Sequence, residues 1–364
     1  MILGIDAINI KSNGGIVYLK ELIFYLNKKK INKIIIFANS KILFNTKNKK
    51  IIFVKKKIFE KNFFWTNIWK FFYLSKELKE FKCNKLLSMN GHYFGNFKPT
   101  VLIIQNSLPF SKEGRKTFSY YNRFKFFLQK LSHIMSFKKT KNIIFVSKSI
   151  KKEVLKSLSF KINNIVCYHG ANKKIVQKKN FNRQIDEIFK LIYVSQYNFH
   201  KNHLNLFKAI KEINRKKIRV KLDCYGELIN KNFNKITKGI KFSKKDGINV
   251  YKSIKQESLF KIYKNYDCHI FPSFCESFGL PLAESARAGL LLACSDLNIF
   301  KELFKNIPIY FEPNSSESIK RAIIAMIAIS NKKQKERIKK GIIMSRKYSW
   351  KKETKKIENY ILKI

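Results

Sequence analysis

Short apolar runs recur along the whole chain, and each is followed by a longer stretch with apolar residues at helical spacing. In the first half the runs are Met1–Ile5, Ile34–Phe37, Ile51–Val54, Lys85–Ser88, Val101–Ile104 and Asn142–Val146. The second half restarts with Leu191–Ser195, Val220–Gly226, Asn249–Tyr251, His269–Phe271, Leu291–Cys294 and Ile309–Phe311. A strand covered on both faces reads as a nearly continuous apolar run, and a crossover helix supplies the cover. The pattern therefore predicts an α/β protein with parallel sheets, and 364 residues suffice for two such domains. Between the two series, residues 170–186 are polar and Lys-rich without apolar periodicity. The predicted division is 1–175, 186–345 and a final amphipathic run over 346–364.

Composition narrows the class further. The chain carries 76 Lys+Arg against 24 Asp+Glu, a formal charge of +52. Only nine of the basic residues are Arg, whereas a dedicated nucleic-acid binder leans on Arg for bidentate contacts. Two readings of the lysines stay open: a solvated surface over a standard fold, or an electropositive face for anionic lipid or a lipid-pyrophosphate. The six cysteines are scattered, without a C-x-x-C pair, which argues against zinc and disulfides and for a reducing cytoplasm. The start, Met1-Ile-Leu-Gly-Ile-Asp6, lacks a basic region, so no signal peptide is expected. No uncharged run approaches the roughly 20 residues that span a bilayer.

The segment Phe271-Pro-Ser-Phe-Cys-Glu-Ser-Phe-Gly-Leu-Pro-Leu-Ala-Glu284 carries the chemistry. An apolar run precedes a Ser-Phe-Gly-Leu-Pro turn, and a small-residue helical segment follows it. A strand, a tight loop and a helix form an anion site, because free N–H groups and the positive helix end meet there. Gly279 permits close approach of the backbone, and Pro281 suits the first helical turn. The N–H groups of Phe278, Gly279 and Leu280 are expected to face a diphosphate. Glu276 and Glu284 flank the same turn, where carboxylates suit hydroxyl-rich groups such as a sugar and a ribose.

The ordered pattern Pro-Ser-x-x-Glu-Ser-Phe-Gly-Leu-Pro-x-x-Glu resembles the E-x7-E signature of the retaining GT-B glycosyltransferases, glycosyltransferase family 4. The resemblance implies a GT-B fold, two Rossmann-like doubly wound domains facing a central cleft. It makes 1–175 the acceptor domain, 186–345 the nucleotide-sugar domain, and 346–364 a helix crossing back to the first. It also implies that Glu276 contacts the donor sugar at the reacting face and that Glu284 binds the ribose. Asn13-Gly14-Gly15 is similar to the family's Gly-Gly loop, which puts Gly15 near the donor phosphate. Lys201 matches the diphosphate-binding Lys, whereas the usual Arg position holds Gln196, which offers only a neutral hydrogen bond. Gly226 falls where family members place a Gly beside the nucleotide, and the usual Gly near Tyr251 is absent. On the acceptor side, the strand that often leads to a His ends here in Gln105-Asn106; His92, after the preceding strand, lies nearby in sequence. No Asp-x-Asp occurs, so no metal and no cofactor beyond a UDP- or GDP-linked sugar is expected.

The implied activity is transfer of a hexosyl or N-acetylhexosaminyl group from a nucleotide sugar to a glycan or lipid-linked acceptor in cell-surface polysaccharide synthesis. The implied location is cytoplasmic, with peripheral contact at the inner membrane face as one option and no nucleic-acid partner. A nucleotide-sugar epimerase on the same fold and a cationic nucleic-acid-binding protein are the alternatives. Two segments, Phe63–Tyr73 and Phe118–Lys130, combine aromatics with lysines. Their stripe is expected to face the core with lysines on the wet side; the other reading lays them in a membrane interface.

Overall fold

The computed structural model describes residues 1–10, 13–26, 29–42, 48–171, 188–216, 218–227, 237, 239 and 242–364. It separates into two compact units, one of Met1–Phe110, Phe124–Gly170 and Trp350–Ile364, the other of Ser111–Arg123 and Ala171–Ser349. Of the expected boundary stretch, residues 170–186, those beyond Ala171 lie outside the described residues.

In chain order the first series is β1 (Ile2–Asp6), α1 (Asn13–Tyr25), β2 (Lys33–Phe37), β3 (Ile51–Val54), α2 (Phe63–Phe72), α3 (Leu74–Glu80), β4 (Lys85–Ser88) and β5 (Thr100–Ile104). It continues with α4 (Lys112–Lys116), α5 (Tyr120–Thr140), β6 (Asn142–Phe145), α6 (Lys148–Leu155) and β7 (Asn163–Val166). Seven parallel strands pair in the order β3-β2-β1-β4-β5-β6-β7. The central strands are buried along nearly their whole length, as their continuous apolar runs require. β7 was not predicted: Asn-Asn-Ile-Val is a partly exposed edge strand, and its polar start hides it from an apolar-run reading.

The second series is β8 (Phe189–Val194), α7 (His203–Arg215), β9 (Val220–Gly226), β10 (Ile248–Lys252), α8 (Gln256–Ile262), β11 (Cys268–Phe271) and α9 (Leu280–Ala288). β12 (Leu291–Ser295), α10 (Asn298–Phe304), β13 (Ile309–Phe311), α11 (Ser316–Ala328) and α12 (Asn331–Arg346) complete it, and α13 (Trp350–Lys363) groups with the first unit. Six parallel strands run in the order β10-β9-β8-β11-β12-β13. Within the first unit, α13 is fastened by Tyr360 Oη donating to Asn163 O (2.7 Å) and by Lys85 Nζ donating to Ile361 O (2.7 Å).

Both sheets are Rossmann-like, and in each the strand order reverses next to the first strand. The reversal lies between β1 and β4 in one sheet and between β8 and β11 in the other. At such a switch point the flanking loops diverge, leaving room for a ligand beyond the carboxyl ends of the strands.

Two expectations need correction here. The Gly14-Gly15 pair is not a loop: α1 begins at Asn13, so both glycines sit in its first turn, with Gly15 buried. The aromatic stripes of α2 and α5 do not face the core. Phe64, Phe71 and Phe72 on α2, and Phe124, Phe127 and Leu128 on α5, are exposed.

Candidate active site

At the β8/β11 switch point, two loops are stitched together. The chain leaves β11 through Pro272 and Ser273, and Phe274 N donates to His200 O (2.8 Å). Asn202, held at φ 58° before α7, donates from Nδ2 to Pro272 O (3.0 Å) and Pro313 O (2.7 Å). Tyr193, buried on β8, donates to Lys201 O (2.6 Å). These bonds fix the backbone on either side of Lys201 and Glu276, and their side chains meet: Lys201 Nζ lies 2.5 Å from Glu276 Oε1, with both groups mostly buried. A buried ion pair of this kind needs both partners, because removing one strands the other charge.

Beyond Glu276 the loop closes on Gly279, the N-cap of α9, at φ +81°. A Cβ there would also meet Phe300 Cε1 at 2.7 Å, so conformation and space both select glycine. The N–H groups of Gly279 and Leu280 donate to no group among the described residues, so this helix start presents donors with the positive dipole end behind them. Pro281 occupies the first turn. The Phe278 side chain turns inward and packs edge-on against Tyr348 (5.6 Å). Glu284 stands in the second turn rather than the first, is 3% exposed, and accepts from Gln256 Nε2 (2.8 Å). Gln256, the first residue of α8, carries no sequence signal; only the fold brings it to Glu284. Buried His269 anchors α9 to β11 through Ser285 Oγ (2.8 Å), and burial holds its pKa down at about 3.

Two more residues expected at the donor site, Gln196 and Gly226, follow or end neighbouring strands of this sheet. Gln196 is half-buried just past β8. Gly226 ends β9, and a Cβ there would fall 1.8 Å from Ser195 O, so close packing of β9 on β8 requires this glycine. Gly15, expected near the donor phosphate, and the acceptor-side residues His92, Gln105 and Asn106 belong to the other unit.

In that unit a second polar network occupies the β1/β4 switch point. Asp6, fully buried at the end of β1, pairs with Lys70 of α2 (2.6 Å) and accepts from Ser88 Oγ at the end of β4 (3.0 Å). Asn90 Nδ2 lies 3.4 Å from Asp6 Oδ1. His92 is buried beside it, with Nδ1 3.0 Å from Asn90 O and Nε2 2.9 Å from Asn67 Oδ1. Burial, with Lys70 and His133 nearby, pushes its pKa well below the usual range. Gln105 Nε2 donates to Met89 O (3.3 Å), and exposed Asn106 caps a turn by accepting from Leu108 N (3.0 Å). The Asp6–Lys70 pair escaped the sequence reading; its only trace is an acid ending the first apolar run. Among the described residues, no three side chains of His, Cys, Asp or Glu converge as a metal site.

Residues 175–343 match the family described as "Glycosyl transferases group 1". The chain is 24% identical over 253 residues to the O-antigen chain mannosyltransferase RfbU of Salmonella typhimurium strain LT2, an alignment covering 68% of this chain and 66% of that protein. A glycosyltransferase from Rickettsia africae ESF-5 superposes with a TM-score of 0.70 at 17% identity, covering 100% of this chain and 98% of its own. Anabaena HepE, solved with UDP and glucose, superposes with a TM-score of 0.72 at 11% identity, covering 100% and 99%. Sucrose-phosphate synthase from Thermosynechococcus elongatus gives 0.72 at 13% identity, covering 100% and 98%. The chain thus has the GT-B fold, and within it residues 175–343 are similar to the glycosyl transferases group 1 family.

Proposed function

We propose that this protein is a retaining glycosyltransferase of family 4 that moves a hexosyl or N-acetylhexosaminyl group from a UDP- or GDP-linked sugar to a glycan or lipid-linked acceptor in polysaccharide synthesis. The observation that carries this reading is the Lys201–Glu276 pair at the β8/β11 switch point, beside the free amides that open α9. When the donor's C1–O bond breaks, the electron pair leaves with the diphosphate. Lys201 and the N–H groups of Gly279 and Leu280 meet that charge, rather than a metal ion. Lys201 exchanges its carboxylate partner for phosphate, which releases Glu276 to hold the sugar hydroxyls. Glu284, oriented by Gln256, takes the ribose hydroxyls. With Gln196 where a second cation would stand, more of the leaving-group charge falls to the helix amides than in a two-cation clamp.

The acceptor is held from the first unit, with the polar groups around Asp6, Asn90 and Gln105 as its hydroxyl partners. The protein works in the cytoplasm, at an anionic membrane that carries the acceptor. The relative named as a mannosyltransferase makes a mannosyl donor the first to test.

The test is a panel of UDP-glucose, UDP-N-acetylglucosamine and GDP-mannose incubated with purified full-length protein. The readout is nucleoside diphosphate release with and without glycan or lipid-linked acceptor. One donor is expected to turn over, with the product's anomeric configuration retained by NMR. Release of an epimerised free sugar nucleotide would favour the epimerase, and no binding of any donor would overturn the reading.

A further inference from the structure

α2 is built inside out. Its two buried residues, Thr66 and Lys70, lie one turn apart and are polar: Thr66 Oγ1 donates to Asn9 Oδ1 (2.9 Å) and Lys70 pairs with Asp6. Its apolar residues point the other way. Phe64, Ile68, Phe71 and Phe72 share the outer face and, with Phe63 and Asn67, line a shallow groove of about 320 Å³. An ordinary surface helix of a globular protein has the opposite polarity.

α5 repeats the inversion. Tyr120, Phe124, Phe127, Leu128, Leu131 and Met135 fall at i, i+4, i+7, i+8, i+11 and i+15, one stripe, and all are exposed, from 41% at Leu131 to 86% at Tyr120. Its inner side carries His133, Ser136 and Phe137. His92 joins the two helices: it contacts Asn67 and Phe63 of α2 and lies 5.6 Å from the ring of His133 on α5. Among the described residues, thirteen of the eighteen exposed large apolar side chains fall within 63–73 or 120–135, so this surface is concentrated rather than scattered. Neither helix contains an acid, and α5 alone carries Arg123, Lys125, Lys130, Lys138 and Lys139.

We infer that the outer faces of α2 and α5 seat the protein in an anionic lipid surface, with the aromatic rings at the headgroup–acyl boundary and the lysines over lipid phosphates. This rests on the reading of the acceptor as lipid-linked. A bilayer meets both features at once, because acyl chains take the rings and headgroups take the charge. An acid-free, aromatic surface on a chain of +52 has no complement in a second copy of itself. Among the described residues no helix is long and apolar enough to cross the membrane, so the inferred contact is interfacial.

Trp65, half-exposed on α2, is a native probe. Full-length protein is mixed at low salt with neutral phosphatidylcholine vesicles, or with vesicles containing one third phosphatidylglycerol, each with or without brominated acyl chains. Co-sedimentation with the anionic vesicles is expected at least tenfold above the neutral ones, falling severalfold at 0.3 M salt. Brominated chains are expected to quench the emission, and Trp65→Phe to remove that quenching. The variant Phe64→Ser/Phe72→Ser/Phe124→Ser/Phe127→Ser is expected to lose at least tenfold in binding while keeping its melting temperature and its donor turnover with a water-soluble acceptor. Absence of anionic-vesicle binding overturns the inference, as does binding with Trp65 unquenched. So does a dimer in sedimentation that the serine variant dissociates. If the serine variant does not fold, Trp65 quenching in the wild type decides alone. Donor turnover without vesicle binding refutes this inference alone, whereas vesicle binding without turnover of any donor refutes the enzymatic reading alone.

Discussion

Lowering the pH from 7.5 to 5.5 should strip much of the stability from both units, because all six histidines are buried and neutral. His92, His133, His169, His200, His203 and His269 are each at most 9% exposed. Burial is the leading cause of every shift, holding His133 at about 4, His169, His203 and His269 at about 3, and His92 and His200 well below the usual value. An unfolded chain titrates its histidines near 6.5, so between pH 7.5 and 5.5 it takes up about 0.8 proton at each, while the folded state takes up almost none. A depressed folded pKa contributes stability that is present above 6.5 and lost as the pH falls toward the folded value. Each group then costs about 1.4 kcal/mol across this window. Three histidines lie in each unit, so each unit loses about 4 kcal/mol, against the 5–15 kcal/mol typical of a domain. Ordinary carboxylates titrate below this window and lysines above it, so the histidines dominate. Urea unfolding followed by far-UV circular dichroism at fixed ionic strength is the assay, and midpoints should fall by about 2 M for slopes near 2 kcal/mol/M. Midpoints that stay within a few tenths molar, or histidine proton resonances titrating near 6.5 in the folded protein, would refute the reasoning.

Further expectations concern single positions. Glu276→Ala should lower kcat at least 100-fold, while Glu284→Ala should mainly raise the donor KM, by about tenfold, in steady-state assays on the active donor; near-normal kinetics in both would remove the site assignment. Gly279→Ala should cost about 1–3 kcal/mol through the φ of +81° and the contact with Phe300, read as a drop in urea midpoint, and an unchanged midpoint would contradict the backbone conformation. Asp6→Asn should cost about 3–5 kcal/mol by leaving the Lys70 ammonium buried without its partner, and Asp6→Asn/Lys70→Met should recover most of it; additivity of the two changes in a double-mutant cycle would argue against the pair.

Much of the fold was legible in the chain because both sheets are parallel and covered on two sides. Burial on both faces turns a strand into an unbroken apolar run, and twelve of the thirteen strands announced themselves in that way. The exception, β7, opens on Asn163-Asn164 and leaves only Ile165 and Val166 to mark it, whereas the opposite edge strand β3 keeps the full run Ile51–Val54. The helix start at Gly279 was equally legible, since a glycine before Leu-Pro marks a turn that few other residues allow. Glu284 and Gln256 were not legible as a pair: 28 residues separate them, and nothing local in either requires the other.

The sequence by itself determined the alternation of strand and helix, the loop chemistry around Glu276, and which residues share a helical face. It did not determine what those faces meet. Lys201 and Glu276 lie 75 residues apart and touch only because the sheet order sets β8 beside β11. Periodicity likewise groups Phe64, Phe71 and Phe72 into a stripe but is blind to its direction. Tertiary structure decided that direction, because a buried Asp6 at the end of β1 demands a cation. Lys70 supplies it from α2, and turning that lysine inward leaves the aromatic rings on the outside.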